Sequence, residues 1–330
     1  MNIRKVCIYG VGAIGGWIGA RLGALPEVSV SAVARGAALE ALTTRGLRLS
    51  SGDRDFSIPV RASENPKDLG PQDVVVLAVK APALPDVAQR IAPLLGPDTM
   101  VYTAMNGVPW WFLNGFGGTY ANLGLHSVDP NGLLARSIPA QAVVGGVVHA
   151  SCALDGPAHV RHFFGNGLIV GEPNRTLSPR AQAWQALLSK AGFEASLSPN
   201  IQHDIWFKLW GNMTVNPISA LTGATTDRIM SDELLVDFIS EVMLEAKAIG
   251  SRIGIDIAQS PNDRHVVTRK LGAFTTSMLQ DVRARRAVEL DALVSSVQEL
   301  GQITQVPTPY TNALLGLARL QARMLGLYPD

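Results

Sequence analysis

The strongest constraint on the fold is a glycine-rich turn close to the start of the chain. Residues 10–15 have the pattern Gly-x-Gly-x-x-Gly, directly after an apolar, strand-like run at 3–9 and directly before a segment of helical composition at 14–24. A second β-rich run follows at 28–34. In such a unit the first glycine permits the tight turn, the second lets the backbone approach a pyrophosphate, and the third lets helix and strand pack closely. The pattern therefore predicts a dinucleotide-binding βαβ unit, with a purely structural glycine turn as the alternative.

The end of the second predicted strand bears on which dinucleotide binds. An Asp or Glu about 20 residues beyond the glycines usually bonds the ribose 2′-hydroxyl of NAD, but no acid lies within 29–36, and Glu27 precedes the strand. Arg35 lies at the strand end instead, and its planar guanidinium suits a 2′-phosphate. Lys80 ends the apolar run that begins at residue 73 and is a candidate for a second phosphate contact. We therefore expect NADP, with ordinary solvated side chains as the alternative for both cations.

The order of the predicted elements divides the chain in two. Strands and helices alternate up to Pro199-Asn200, and almost everything beyond has helical periodicity. We therefore predict an α/β fold class, with an N-terminal Rossmann-type domain at 1–198 followed by an all-α C-terminal domain at 199–330. The further predicted elements are a hairpin at 46–60, helices at 84–95 and 179–192, strands at 99–104, 142–150 and 158–170, and C-terminal helices at 201–221, 231–253, 261–276, 286–303 and 308–325.

Composition argues against several other classes of protein. Of the 330 residues, 47% are hydrophobic and 17% are charged, which indicates a globular chain able to bury a core. The net charge of +1 points to neither nucleic acid nor an anionic membrane as a partner. No apolar stretch approaches the length of a membrane span, and no leader pattern precedes the first strand. Cys7 and Cys152 form no zinc-type cluster, so we expect no metal and a reducing, cytoplasmic location.

A polar stripe lies in the first C-terminal helix. Lys208, Asn212 and Asn216 are spaced four residues apart, so on a helix they share one face, and their neighbours are largely apolar. Pro217 follows; it has no backbone N–H and disturbs a helix around it, which would turn Asn216 toward a cleft. The spacing alone leaves a functional stripe and the solvated face of an amphipathic helix as equal alternatives.

A second polar segment contains Ser277 and Glu289. On one continuous helix their separation would place them on different faces, so we predict a break near 280–286, with Glu289 close to the start of a new helix. The helix dipole favours a carboxylate at such a position. That structural role is the alternative to a functional one.

Together these features resemble the ketopantoate reductase (2-dehydropantoate 2-reductase) family over nearly the whole chain and in the same order. The segments that carry the resemblance are Gly-x-Gly-x-x-Gly from Gly10, Arg35, Val79-Lys80, Asn106-Gly107, Lys-Leu-x-x-Asn-x-x-x-Asn-Pro from Lys208, and Ser-Met-Leu-Gln-Asp with Glu-Leu-Asp between Ser277 and Asp291. Each motif is modest, but the set is specific. The resemblance implies an NADP-dependent oxidoreductase that reduces a 2-keto acid, 2-dehydropantoate to pantoate in pantothenate biosynthesis, with its active site in a cleft between a Rossmann domain and a helical domain.

The resemblance also implies roles for individual residues. Lys208 resembles the family's proton donor, and Glu289 resembles the carboxylate that assists at the substrate and the nicotinamide. The substrate-binding residues predicted on this basis are Asn106, Asn212, Asn216 and Ser277. The predicted cofactor-binding residues are Gly10, Val11, Gly12, Ala13, Ile14, Gly15, Arg35, Lys80, Asn106 and Ser151. The expected partner is a small-molecule keto acid, and a homodimer is left open.

Three segments depart from the family pattern. Thr225-Thr226 occupy the loop where the family often has an asparagine, and Val294-Ser295 replace an Asn-Gly pair. Residues 110–112, Trp-Trp-Phe, add aromatic bulk that either shapes the substrate pocket or packs in the core. The departures leave two alternatives open: a related reductase acting on a different keto acid, and a catalytically silent NADP-binding sensor.

The hypothesis for Arg35 predicts a selective loss of NADPH binding. Arg35→Ala should weaken NADPH binding by about 1.5–3 kcal/mol, the worth of a hydrogen bond to a charged group. NADH binding should barely change, because NADH has no 2′-phosphate. Fluorescence titration with both cofactors measures the difference, and equal weakening of the two would contradict the 2′-phosphate assignment.

Overall fold

The computed structural model describes residues 2–329, which form two compact units. The sheet unit comprises the chain through Met105 together with Leu133–Asp204. The helical unit comprises Asn106–Gly132 together with the chain from Ile205. This division differs from the contiguous one expected at 198/199, because residues 106–132 group with the helices.

The sheet unit alternates strands and helices along most of its length. Its strands are β1 Lys5–Tyr9, β2 Ser29–Val33, β3 Leu47–Ser51, β4 Arg54–Ile58, β5 Arg61–Ser63, β6 Gln72–Leu77, β7 Leu95–Thr103, β8 Val143–Leu154, β9 His159–Gly171 and β10 Glu194–Leu197. Its helices are α1 Ala13–Gly23, α2 Gly36–Arg45, α3 Leu84–Arg90, α4 Leu133–Ser137 and α5 Pro179–Lys190.

One mixed ten-stranded sheet within the described residues organises this unit. The strand order is β4-β3-β9-β8-β7-β6-β1-β2-β5, with β10 paired to β9. From β8 to β5 all pairs are parallel, in the strand order of dinucleotide-binding sheets. The register aligns Tyr9 with Val33 and Leu77, and Leu77 with Thr103. The residues that follow β1, β2, β6 and β7 therefore emerge at one edge of the sheet.

The apolar runs of the sequence explain which strands are central. Residues 74–77 of β6 are fully buried, as expected for a parallel strand that is covered on both faces. Trp17 and Ile18 of α1 have no exposed surface and belong to the same hydrophobic core as Val6 and Ile8 of β1. The first helix is thus fixed on the sheet directly beside the strand that precedes it.

The helical unit is built from consecutive helices of the C-terminal part of the chain. They are α6 Ile201–Thr222, α7 Thr226–Ser231, α8 Glu233–Arg252, α9 Pro261–Arg269, α10 Ser277–Arg283, a π-helical turn Asp291–Ser295, α11 Ser296–Thr304 and α12 Pro309–Met324. The first turn of α6 belongs to the sheet unit, and the rest of the helix belongs to the helical unit.

The segment 106–132 is attached to the helices by a paired backbone contact. The two carboxylate oxygens of Glu299 in α11 accept hydrogen bonds from the backbone N–H groups of His126, at 2.7 Å, and Ser127, at 2.8 Å. An irregular segment carries backbone donors that no helix or strand ladder pairs. A charged acceptor from a neighbouring helix satisfies two of them.

Aromatic packing also attaches this segment to the helices. Trp111 and Phe112 have no exposed surface, and Trp110 is 5% exposed. Phe112 stacks on Trp206 of α6, with ring centroids 5.8 Å apart. The burial of these side chains supports core packing rather than the pocket-shaping role that was the alternative for residues 110–112.

Most of the predicted elements are present, and the differences have local causes. The hairpin formed by β3 and β4 is confirmed. The helix break is also confirmed, since α10 ends at Arg283 and Glu289 directly precedes the next helical residue, Leu290. Helix α9 ends at Arg269, short of the expected 276, because the chain turns through Gly272 with a φ of +61°. Helix α2 and strand β10 were not anticipated, since neither has a clear apolar period.

Removing the paired contact of Glu299 should destabilise the helical unit. Glu299→Ala leaves two backbone donors without their charged acceptor, which should lower the free energy of unfolding by about 1–3 kcal/mol. Urea denaturation followed by tryptophan fluorescence measures the change. The matched control is Glu241→Ala, an exposed glutamate of α8, which should change stability by less than about 0.5 kcal/mol. Equal changes in the free energy of unfolding for the two variants would show that the Glu299 contact contributes nothing to stability.

Candidate active site

The glycine turn between β1 and α1 has little room for side chains except at its centre. Gly10 has a φ of +99°, and a Cβ there would lie 2.7 Å from Cγ1 of Val79. A Cβ on Gly15 would collide with the carbonyl oxygen of Gly10. A Cβ on Gly12 would lie in open space, with no heavy atom within 4 Å. The first and third glycines are therefore required by packing, whereas the second leaves a free surface beside the backbone.

The start of α1 is suited to a phosphate. Gly12 is its N-cap, no side chain caps the helix, and the first turn contains no acidic residue. The backbone N–H groups of the first turn and the positive end of the helix dipole therefore remain available to an anion. The open space at Gly12 adjoins them, so the residues of this turn fit the pyrophosphate of a dinucleotide.

A recess open to solvent adjoins the turn, and Arg35 and Arg90 are among the residues that line it. Asp86 lies between them, with its Oδ2 atom 3.6 Å from Nη1 of each arginine. The carboxylate is thus already paired, and two cations line the recess against one acid. This balance fits a phosphate better than the bare hydroxyl of an NAD ribose. Arg90 was missed in the sequence because it is the last residue of α3, far along the chain from Arg35.

Two other predicted cofactor contacts have less support from their positions. Lys80 follows β6 at the edge where β1 and β2 end, as expected, but it does not line the recess. Ser151 lies on β8, six residues beyond Gly145, the residue that pairs with the end of β7, at an irregularity opposite Phe164. No hydrogen bond between its side chain and the glycine turn is found within residues 2–329. Both assignments remain predictions.

The helical unit contains a second group of functional side chains, centred on Lys208. The Nζ atom of Lys208 donates a hydrogen bond of 2.7 Å to Oδ1 of Asn106. Burial lowers the pKa of Lys208 to about 8, the carboxylate of Glu289 opposes that shift, and the guanidinium of Arg264 adds to it. The structure thus brings together Lys208, Asn106 and Glu289, three residues that are far apart in the sequence.

The remaining polar residues of the expected site lie at different distances from this group. Asn212 and Asn216 continue the face of α6 that carries Lys208, the first half-buried and the second 7% exposed. Pro217 lies inside α6 without ending it, so the expected disturbance does not break the helix. Ser277 is the first residue of α10 and is exposed. Its side chain makes no hydrogen bond to the Lys208 group within the part of the chain that the structure describes.

The departures from the family pattern have structural roles here. Thr226 is 1% exposed, and its hydroxyl donates to the carbonyl of Gly272 at 2.5 Å. The side chain of Ser295 donates to Asp291 at 3.1 Å within the π-helical turn. Each of these two side chains therefore forms a hydrogen bond that stabilises its local structure.

The Lys208 group has the properties of a proton donor. An ammonium with a pKa of about 8 is mostly charged at neutral pH and still gives up its proton more readily than a solvated lysine. The amide oxygen of Asn106 fixes the direction of one N–H, and Glu289 favours the charged form. Such a group can stabilise negative charge that develops on an oxygen and then protonate it.

Two features are absent from residues 2–329. No cluster of three or more His, Cys, Asp or Glu residues there has the geometry to hold a metal ion. None of the helices described combines the length and the apolar character needed to cross a membrane.

Comparison with known proteins agrees with this geometry. Family models described as ketopantoate reductase PanE/ApbA match residues 6–175 and, for the C-terminal part, residues 200–322. A 2-dehydropantoate 2-reductase from Mesorhizobium japonicum is 43% identical over 324 residues, which cover 98% of this chain and 99% of that protein. A solved structure from Ralstonia solanacearum MolK2, assigned to the ketopantoate reductases, is 53% identical with a TM-score of 0.95 and covers 99% of this chain and 100% of its own.

A more distant likeness extends to the fold alone. D-mandelate dehydrogenase, solved with NADH and anilino(oxo)acetate, has a TM-score of 0.82 at 20% identity, covering 98% of this chain and 99% of its own.

The glycine turn, the strand order, the Lys208 group and the similarity over the full length all point to the same family. This chain belongs to the ketopantoate reductase family.

Proposed function

We propose that this protein catalyses the NADPH-dependent reduction of 2-dehydropantoate to pantoate, a step of pantothenate biosynthesis. The observation that carries the proposal is the Lys208 group, a lysine whose pKa is lowered to about 8 and whose ammonium is hydrogen bonded to Asn106. The name of the Mesorhizobium japonicum relative, 43% identical over nearly the whole chain, supports the choice of substrate.

The proposed mechanism assigns one task to each residue of the group. NADPH, which the glycine turn with Arg35 and Arg90 would hold, would supply the hydride for the keto carbon and so leave negative charge on the keto oxygen. Lys208 stabilises that charge and donates its proton, so the ketone becomes an alcohol. Asn106 orients the ammonium through its amide oxygen, and Glu289 keeps the ammonium charged until the transfer. Asn212, Asn216 and Ser277 are proposed as further hydrogen-bonding partners of the substrate.

The proposed cofactor preference depends on the sheet unit. The turn at Gly12 and the uncapped start of α1 would hold the pyrophosphate, and Arg35 with Arg90 would hold the 2′-phosphate. A location in a reducing, cytoplasmic compartment belongs to the same proposal, supported by the free cysteines Cys7 and Cys152. A homodimer stays a prediction.

Two other functions are distinguishable by experiment. A reductase for a different keto acid would share this chemistry, and a panel of keto acids assayed with NADPH and NADH separates the two enzymes. A silent NADP-binding sensor would have no use for a lysine of lowered pKa. Steady oxidation of NADPH in the presence of a keto acid would exclude the sensor.

The proton-donor role predicts a large loss of turnover in one variant. Lys208→Ala should lower kcat for 2-dehydropantoate by about 100- to 10,000-fold, the usual worth of a placed general acid, with NADPH binding nearly unchanged. The matched control, Lys270→Ala, removes an exposed lysine that follows α9 and should keep kcat within about twofold of wild type. A Lys208→Ala enzyme with near wild-type kcat would refute the assignment.

The lowered pKa of Lys208 predicts opposite pH dependences for the two reaction directions. Reduction needs the ammonium, so kcat/KM for the keto acid should fall as pH rises through about 8. Oxidation of the product needs the neutral amine and should rise through the same pH. Since Glu289 raises the pKa of Lys208, Glu289→Gln should move both profiles to lower pH. Profiles of both reactions that stay flat between pH 7 and 9 would contradict the role of this lysine.

A further inference from the structure

One cation beside the Lys208 group has no role in the mechanism above. Arg264 lies on α9, with its guanidinium carbon 5.4 Å from the ring centroid of Phe207 on α6. Gly211 provides the space for it, because a Cβ there would lie 2.6 Å from Nε and 2.7 Å from Nη2 of Arg264. Gly211 is one helical turn beyond Lys208. The guanidinium therefore packs against α6, in the helical turn that follows Lys208.

The charge of Arg264 is poorly compensated by the protein. Its Nε atom is buried and has no hydrogen-bond partner within residues 2–329. Burial lowers the pKa of Arg264, and no acidic group among those residues offsets the shift. A buried cation costs free energy unless an anion or hydrogen-bond acceptors accompany it. The stacking on Phe207 recovers only part of that cost, since a cation–π contact is worth about 0.5–2 kcal/mol.

Around Lys208, too, positive charge exceeds negative charge. Arg264 lowers the pKa of Lys208, which places the two cations within electrostatic range of each other, and Glu289 is the carboxylate that acts on Lys208 in the opposite sense. Two cations thus face one acid. The site is complementary to a ligand that brings a negative charge of its own.

We propose that Arg264 binds the carboxylate of the keto-acid substrate. In a 2-keto acid the carboxylate carbon is bonded directly to the carbon that is reduced, so its binding group has to lie next to the proton donor. A guanidinium presents parallel N–H donors that match the two oxygens of a carboxylate. The inference rests on the proposed function, and it names a substrate-binding residue that neither the motifs nor the polar stripe on α6 contains.

A bound carboxylate would also change the proton donor. It would neutralise Arg264 and thereby remove a repulsion that lowers the pKa of Lys208. The ammonium form of Lys208 would be favoured when substrate is present. Only keto acids, and not their neutral analogues, would have this effect.

The test compares Arg264→Met and Arg264→Lys with Arg269→Met, which removes an exposed arginine at the end of the same helix. Arg264→Met should raise KM for 2-dehydropantoate by roughly 10- to 100-fold, the loss of a charge-assisted pair, with a smaller effect on kcat. Arg264→Lys should recover part of the loss. Arg269→Met should behave as wild type.

One further readout separates binding of the carboxylate from a structural role, and a second tests how close Arg264 is to Lys208. Wild type should prefer the keto acid over its neutral methyl ester, and Arg264→Met should lose that preference. The high-pH limb of kcat/KM, which reports the free enzyme, should move to higher pH in Arg264→Met, because a neighbouring cation has gone. Loss of packing alone would leave the preference for acid over ester unchanged, whereas the pH shift shows only that the cation of Arg264 acts on Lys208.

The cofactor is the other source of an anion, and it gives a distinct outcome. If Arg264 instead bound a phosphate of NADPH, Arg264→Met would weaken NADPH in fluorescence titration and leave KM for the keto acid unchanged, which overturns the inference. Unchanged KM together with an unchanged preference for acid over ester overturns it as well. Should the methionine variant unfold, Arg264→Lys decides by the same measurements. If wild type reduces no keto acid at all, the proposed function itself fails.

Discussion

The close approach of α1 to β1 is the constraint on which the sheet unit depends. Gly15 lies against the carbonyl of Gly10, so the helix begins as soon as the strand ends. The uncapped N–H groups of α1 consequently lie at the edge where the aligned parallel strands end. The buried side chains of Trp17 and Ile18 secure the helix there. The anion-binding geometry is thus a consequence of packing rather than an addition to it.

In the helical unit the corresponding constraint is the partial loss of water around Lys208. Burial and Arg264 both oppose its charge, while Glu289 supports it. As a result, Lys208 is mostly charged at neutral pH and releases its proton more readily than a solvated lysine does. Asn106 orients the ammonium, since its amide oxygen accepts a hydrogen bond from one of the N–H groups. An additional anion in this group would relieve the remaining excess of positive charge.

Features with a short-range geometric cause could be predicted from the sequence. The β3–β4 hairpin, the helix break before Glu289 and the fully buried β6 follow from turn residues and from the period of apolar residues. The common face of Lys208 and Asn216 follows from helical spacing. The extent of α9 was overestimated, because a glycine turn ends it within a segment whose apolar pattern continues. The burial of residues 110–112 could not be decided, since aromatic residues serve cores and pockets alike.

The sequence by itself determined the glycine turn, the basic residue at the end of β2 and the lysine–asparagine face of α6, because each depends on the geometry of a few consecutive residues. The tertiary structure decided which of these meet. Asn106 bonds to Lys208 across 102 residues of sequence, and Arg90 lines the same recess as Arg35. The side chain of Arg264, on α9, packs against α6 only because Gly211 leaves room for it. Such contacts depend on how separate helices and strands pack against one another. Packing is determined by the fit of whole buried surfaces, and the periodicity of apolar residues within one segment contains no information about that fit.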